Sequence, residues 1–164
     1  MSNTKETRIS KDPSGKKLIV SRDFDAPVQD VWDAWTQSEL LDKWWAPKPW
    51  KAETKSLNFT GGGTWLYTMV GPQGEKHWSK AEFETIAPEQ SFTSSDMFCD
   101  EEGNVDANLP VMHWHVQFAA QGQSTNVVIE LTFDKEEDLD KMVEMGFNEG
   151  FTMAHGNLDE LLAQ

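Results

Sequence analysis

The chain has 164 residues and carries 14 Lys+Arg against 28 Asp+Glu, a net charge of −14 at neutral pH. That length suits one domain able to bury about 68–70% of its unfolded surface, and the sign of the charge argues against a nucleic-acid backbone or an anionic membrane as partner. A single cysteine, Cys99, excludes an intrachain disulfide and a cysteine-based zinc site.

Residues 1–15 read as a basic, flexible lead-in to a single domain over 16–164. Residues 1–22 carry a local charge of +4 and the rest of the chain −18. No apolar signal-peptide core follows Met1, and no run approaches the roughly 18 apolar residues of a spanning helix. The expected location is cytoplasmic.

In Lys16–Asp25, Leu18, Val20 and Phe24 alternate with Ser21 and Asp23, the period of a half-buried strand. Pro27 then opens a helix in which Val28, Val31, Trp32 and Trp35 form one stripe. Ser38 is placed as the cap of a second, short helix bearing Leu40, Leu41, Trp44 and Trp45. Six strands follow near 51–58, 64–70, 77–87, 91–98, 111–119 and 124–133, separated by short turns such as Gly61-Gly62-Gly63 and Gly71-Pro72-Gln73-Gly74. Short turns between consecutive strands favour an antiparallel meander with one buried face. The last segment reads as one long helix with the stripe Leu139, Val143, Phe147, Phe151, Ala154, Leu158 and Leu161. Gly146 and Gly150 fall on that stripe, each costing about 0.8–1.0 kcal/mol relative to Ala inside a helix, so each needs a structural reason. The class is α+β: strand, two helices, six-stranded meander, and a long helix packed across the sheet.

Several segments resemble a known family. They are Arg22-Asp23-Phe24-Asp25-Ala26-Pro27, Val31-Trp32-Asp33-Ala34-Trp35-Thr36, Trp44-Trp45-Ala46-Pro47, Gly62-Gly63-Thr64-Trp65, Gly71-Pro72-Gln73-Gly74, Pro88-Glu89 and Gly150-Phe151. In this order they resemble bacterial single-domain proteins related to the C-terminal domain of the activator of heat-shock-protein-90 ATPase, within the START-like helix-grip superfamily. The resemblance implies a helix-grip fold with a curved sheet and a cavity beneath the last helix. The sequence departs from the family pattern at Asn58, Ser95, Phe151 and His155.

Among residues that could carry chemistry, His113 and His115 are two apart, the spacing that puts two imidazoles on one strand face. Because Met112, Trp114, Val116 and Phe118 form the apolar face, the histidines should point to solvent, and no metal or other cofactor is expected. His155 falls beside the Phe151–Leu158 stripe, where it could orient a ligand or act as an acid/base. Arg22 shares the apolar face of its strand and requires a carboxylate partner, for which Glu149 is a candidate. The triple glycine 61–63 lacks the Lys-Ser/Thr of a phosphate loop and reads as a turn.

The aromatic residues carry the remaining signal. With the cavity implied by the resemblance, Trp45, Trp65, Tyr67, Met69, Phe83, Met97, Trp114, Phe151 and His155 become the expected lining for a small hydrophobic or aromatic ligand. A cyclase- or hydratase-type enzyme using the same cavity, with His155 as base and Tyr67 as donor, is the alternative. A chaperone-ATPase co-regulator is a third and less favoured reading. A homodimer through a sheet edge or an exposed Trp is left open.

Overall fold

A computed structural model describes residues 6–164. Eight strands and four helices run in the order β1 (Arg8–Lys11), β2 (Lys17–Phe24), α1 (Val28–Thr36), α2 (Ser38–Trp44), β3 (Lys51–Leu57), β4 (Thr64–Val70), β5 (Lys76–Ala87), β6 (Ser91–Cys99), β7 (Met112–Gln121), β8 (Ser124–Phe133), α3 (Glu136–Glu144) and α4 (Phe147–Leu162). All strands join one antiparallel sheet in the order β1-β2-β8-β7-β6-β5-β4-β3. The chain therefore builds the helix-grip architecture expected of it, with one strand more than expected. Residues 8–11, placed by the sequence in the flexible lead-in, pair with Leu18–Ser21 as an edge strand. Their weak alternation hid them, because an edge strand of four mostly exposed residues buries too little to leave a periodic pattern.

The sheet is one-sided, as the alternation requires. In β2 and β8 every second residue is buried, and Val20, Phe24, Ile129 and Leu131 are completely so. In β7 the buried set is Met112, Trp114, Val116 and Phe118, with His113, His115 and Gln117 on the opposite face. His113 there contacts Asp134 (3.2 Å) and Ser95 (3.0 Å). The helices cover the inner face. The Trp44 indole N–H donates to the Ala34 carbonyl (2.8 Å) and ties α2 to α1, while Asn157 Nδ2 donates to the Ala46 carbonyl (3.0 Å) and ties α4 to the end of α2.

Two details of the helices differ from expectation. Gln37, not Ser38, is the residue between α1 and α2: its N–H donates to the Asp33 carbonyl and its own carbonyl accepts from Leu40 and Leu41. Ser38 is already helical, and its hydroxyl turns to the Glu39 carboxylate instead. The C-terminal segment is also two helices rather than one. Gly146 sits at φ +92°, in the left-handed region that favours glycine, and ends α3 while starting α4. Gly150, by contrast, is an ordinary helical residue whose α-carbon faces Pro47.

The two glycines should thus respond in opposite ways. Gly146→Ala forces a left-handed alanine and should cost about 1–2 kcal/mol. Gly150→Ala meets only Pro47 Cγ at 3.7 Å and should be neutral or stabilising by up to about 1 kcal/mol. Urea unfolding of the two variants checks this; equal destabilisation would contradict the helix break.

Candidate ligand-binding site

Where α3 gives way to α4, the helical cover lifts from the sheet and leaves a cavity of about 230 Å³. Its floor is the inner face of four strands: Tyr67 and Met69 from β4, His77 and Ser79 from β5, Asp96 and Phe98 from β6, Met112 and Trp114 from β7. Trp45 and Pro47 close one side, and Met142, Met145, Phe147 and Phe151 form the roof with Gly146 and Gly150. Met97 also reaches the lining. Five of the seven methionines of the chain meet here, a wall of flexible, polarizable groups able to fit irregular shapes.

The aromatic part is rigid. Tyr67 stacks on Trp65 with centroids 4.0 Å apart, and the Trp45 indole N–H donates to the Tyr67 hydroxyl (3.0 Å). Phe151 meets Trp45, Trp114 and Trp35 edge to face. Burial, and secondarily the charge of Asp96, push the Tyr67 phenol well above its ordinary pKa, so it stays neutral. The Trp114 indole N–H is buried and has no hydrogen-bond partner among the described residues.

Six of the nine expected residues line the cavity: Trp45, Tyr67, Met69, Met97, Trp114 and Phe151. Trp65 and Phe83 lie deeper, around a void of about 20 Å³ behind Trp45 that is too small for anything beyond a water. They face inward as their alternation requires, but at the packed end of the sheet. His155 sits one helical turn beyond Phe151, with ring centroids 4.3 Å apart, and does not reach the lining. Helical phase gives the face on which a residue lies, while its depth along the axis depends on where the helix begins; the break at Gly146 puts the cavity under the first turn of α4. The proposed pairing of His155 as base with Tyr67 as donor is therefore not assembled.

His155 belongs to a separate polar network at the β2 side of α4. Arg22, 8% exposed, is ion-paired with Asp159, not with the expected Glu149, and its second nitrogen donates to Thr7 Oγ1 (2.8 Å). Ten residues beyond Glu149, Asp159 lies farther along α4, where the helix passes over Arg22. Thr7 Oγ1, which accepts from Arg22, also shares a hydrogen bond with His155 Nδ1 (2.8 Å). The Nε2 atom of His155 is buried with no hydrogen-bond partner among the described residues. Burial first, then the neighbouring Arg22 charge, hold His155 down to a pKa of about 3, so it is neutral.

The residue that sequence reasoning missed is Asp96. It is 8% exposed and lines the cavity floor; its hydrogen bond is from the Ser94 hydroxyl at 3.3 Å. Burial pushes its carboxyl up to about 8, offset only in part by Ser94. The signal was present in β6, where Phe92, Ser94, Asp96 and Phe98 share one face by period two; attention went to Met97, on the alternate phase, because it is apolar. Chemically the site is a hydrophobic pocket with a single acid in its floor. Among the described residues no group of three or more His, Cys, Asp or Glu is arranged to hold a metal ion.

A model of the family described as "Activator of Hsp90 ATPase homolog 1-like protein" matches residues 25–163. The chain belongs to this family. Its fold is shared by a Mycobacterium smegmatis protein (29% identity, 96% of each chain covered, TM-score 0.88), an Arthrobacter aurescens protein (34%, 95% of this chain and 91% of that one, 0.89) and a Staphylococcus epidermidis protein (29%, 95% and 93%, 0.83). Among curated proteins there is no match. No helix among the described residues is long and apolar enough to cross a membrane.

Two buried titratable groups, Asp96 and His155, predict a pH profile of stability. Asp96 holds its proton up to about pH 8 when folded but only to 3.8 when unfolded, so the native state carries the extra proton between those values and stability falls as pH rises through them. His155 titrates at about 3 folded and 6.5 unfolded; the unfolded state carries the extra proton there, and stability rises with pH up to 6.5. The slopes oppose each other below pH 6.5, and Asp96 alone remains above it. Stability should decline between pH 6.5 and 8 by up to about 1.4 kcal/mol per unit, and Asp96→Asn should abolish the decline. Urea unfolding across that range checks it; an unchanged decline in the variant would contradict the assignment.

Proposed function

We propose that this protein binds a small hydrophobic or aromatic molecule in the cavity between the α3–α4 cover and the sheet. The observation that carries this reading is the cavity itself, an apolar space of about 230 Å³ under the α3–α4 break with aromatic and thioether walls. An apolar cavity of about 150 Å³ already accommodates benzene, so the volume suits a ligand of one or two small rings. Burial of the ligand's apolar surface supplies affinity, and the few polar groups of the floor set its orientation. The helix-grip fold of the family commonly binds hydrophobic ligands, which supports the same reading.

The methionines provide an internal reporter. Titration with indole of protein carrying 13C-labelled methionine methyls should shift Met69, Met112 and Met142 saturably. Met153, which is 48% exposed on the outer side of α4, should not move. Gly150→Leu, which extends a side chain beside the cavity from a helical position, should weaken these shifts at least about tenfold, the cost of filling space the ligand needs. No shift, or equal shifts at Met153, would contradict binding in the cavity.

A further inference from the structure

We propose that the natural occupant of this cavity is an organic ammonium ion, held by the Asp96 carboxylate and surrounded by the aromatic and methionine side chains of the walls. The inference deepens the binding reading above and rests on it.

A carboxyl group in an apolar floor is costly to retain. Buried acids are normally offset by a cation or by several hydrogen bonds. Among the described residues Asp96 has one hydrogen bond, the 3.3 Å bond from Ser94, and the influences on its proton are burial and Ser94. Arg22 shows what the same chain does with a buried charge whose purpose is structural: it is ion-paired with Asp159 and also bonded to Thr7. Nearby Lys80 is engaged with Glu82 at 3.2 Å. Asp96 is thus a buried acid with no counter-charge among the described residues, and what accessibility it has is at a cavity.

The walls suit a cation as well as an apolar body. Trp45, Tyr67, Trp114 and Phe151 are the ring types that attract ammonium groups through their π electrons, more strongly when desolvated. The alkyl substituents of an organic ammonium ion gain from the same burial as a neutral ligand would. At long range the net charge of −14 draws cations to the protein and repels anions.

The titratable groups facing the cavity are Asp96 from β6, Tyr67 from β4 and His77 from β5; Trp45, Pro47, β7, α3 and α4 present only apolar or aromatic side chains and glycine. Tyr67 remains neutral through the relevant range. A fixed cation must therefore displace the proton of Asp96, and its affinity should rise about tenfold per pH unit until pH 8 and then level off. A neutral ligand that accepts a hydrogen bond from the acid has the opposite dependence, which separates the two.

The test uses benzyltrimethylammonium, whose charge does not titrate, its uncharged carbon isostere neopentylbenzene, and the neutral acceptor acetophenone. Each is titrated against the methionine-methyl signals between pH 6.5 and 9. The expected result is that benzyltrimethylammonium binds at least about tenfold more tightly than neopentylbenzene at pH 8.5. Its affinity should climb with pH in the wild type and in His77→Gln, and Asp96→Asn should lose both the preference and the climb. Equal binding of cation and isostere at pH 8.5, acetophenone bound more tightly than the cation at that pH, or a climb that survives Asp96→Asn would overturn the ammonium assignment while leaving cavity binding intact. Absence of binding by all three probes and by indole would overturn both.

Discussion

The structure is governed by the need to cover the one apolar face of an eight-stranded sheet. Hydrophobic residues on alternate positions of β2, β7 and β8 leave that face no alternative to burial. The α1–α2 pair covers one part through Trp32, Trp35, Trp44 and Trp45, and the C-terminal segment covers another through Leu139, Met142, Phe151 and Leu158. A continuous helix would have lain along one line. The left-handed residue Gly146 redirects the chain, and the uncovered strip beneath that redirection is the cavity.

The polar groups on either side of Phe151 follow different rules. Toward the C-terminal end of α4, Arg22 is ion-paired with Asp159 and bonded to Thr7, which in turn contacts His155. Removing one partner from such a buried pair typically costs about 3–5 kcal/mol, so the network contributes to holding α4 against β2. At the N-terminal end of α4, Asp96 has one neutral hydroxyl beside it. The first arrangement serves the fold. The second lowers native stability wherever the carboxyl is denied its charge, and such a group is retained to advantage when it meets a ligand.

The architecture was legible because it rests on periodicity. Strand spans were within a residue or two, the inner face of β7 followed from Met112, Trp114, Val116 and Phe118, and the Trp32–Trp35 stripe put α1 on the core. Short-range signals without periodicity were missed: the four residues of β1, the Gln37 junction, and the helix break at Gly146. The last was hidden because glycine on an apolar stripe is equally consistent with close packing and with a positive φ. For the site, six of the nine expected residues line the cavity, and four of these, Trp45, Tyr67, Trp114 and Phe151, were found because aromatic residues are conspicuous. Asp96 was overlooked for the converse reason: a charged residue on an inward phase reads as an interruption of the strand pattern, although it is the one carboxyl group in the lining. His155, Trp65 and Phe83 were on the correct faces, but their positions along those faces depend on packing that no single strand or helix specifies.

Asp96 is a buried acid facing the cavity with no counter-charge among the described residues. An NMR titration of its 13C-labelled side-chain carboxyl tests this directly. A midpoint near pH 8, moving down when a cationic ligand is bound, is the result this structure predicts. A midpoint near 4, the ordinary value for an exposed aspartate, would show a solvated or compensated carboxylate and contradict the account.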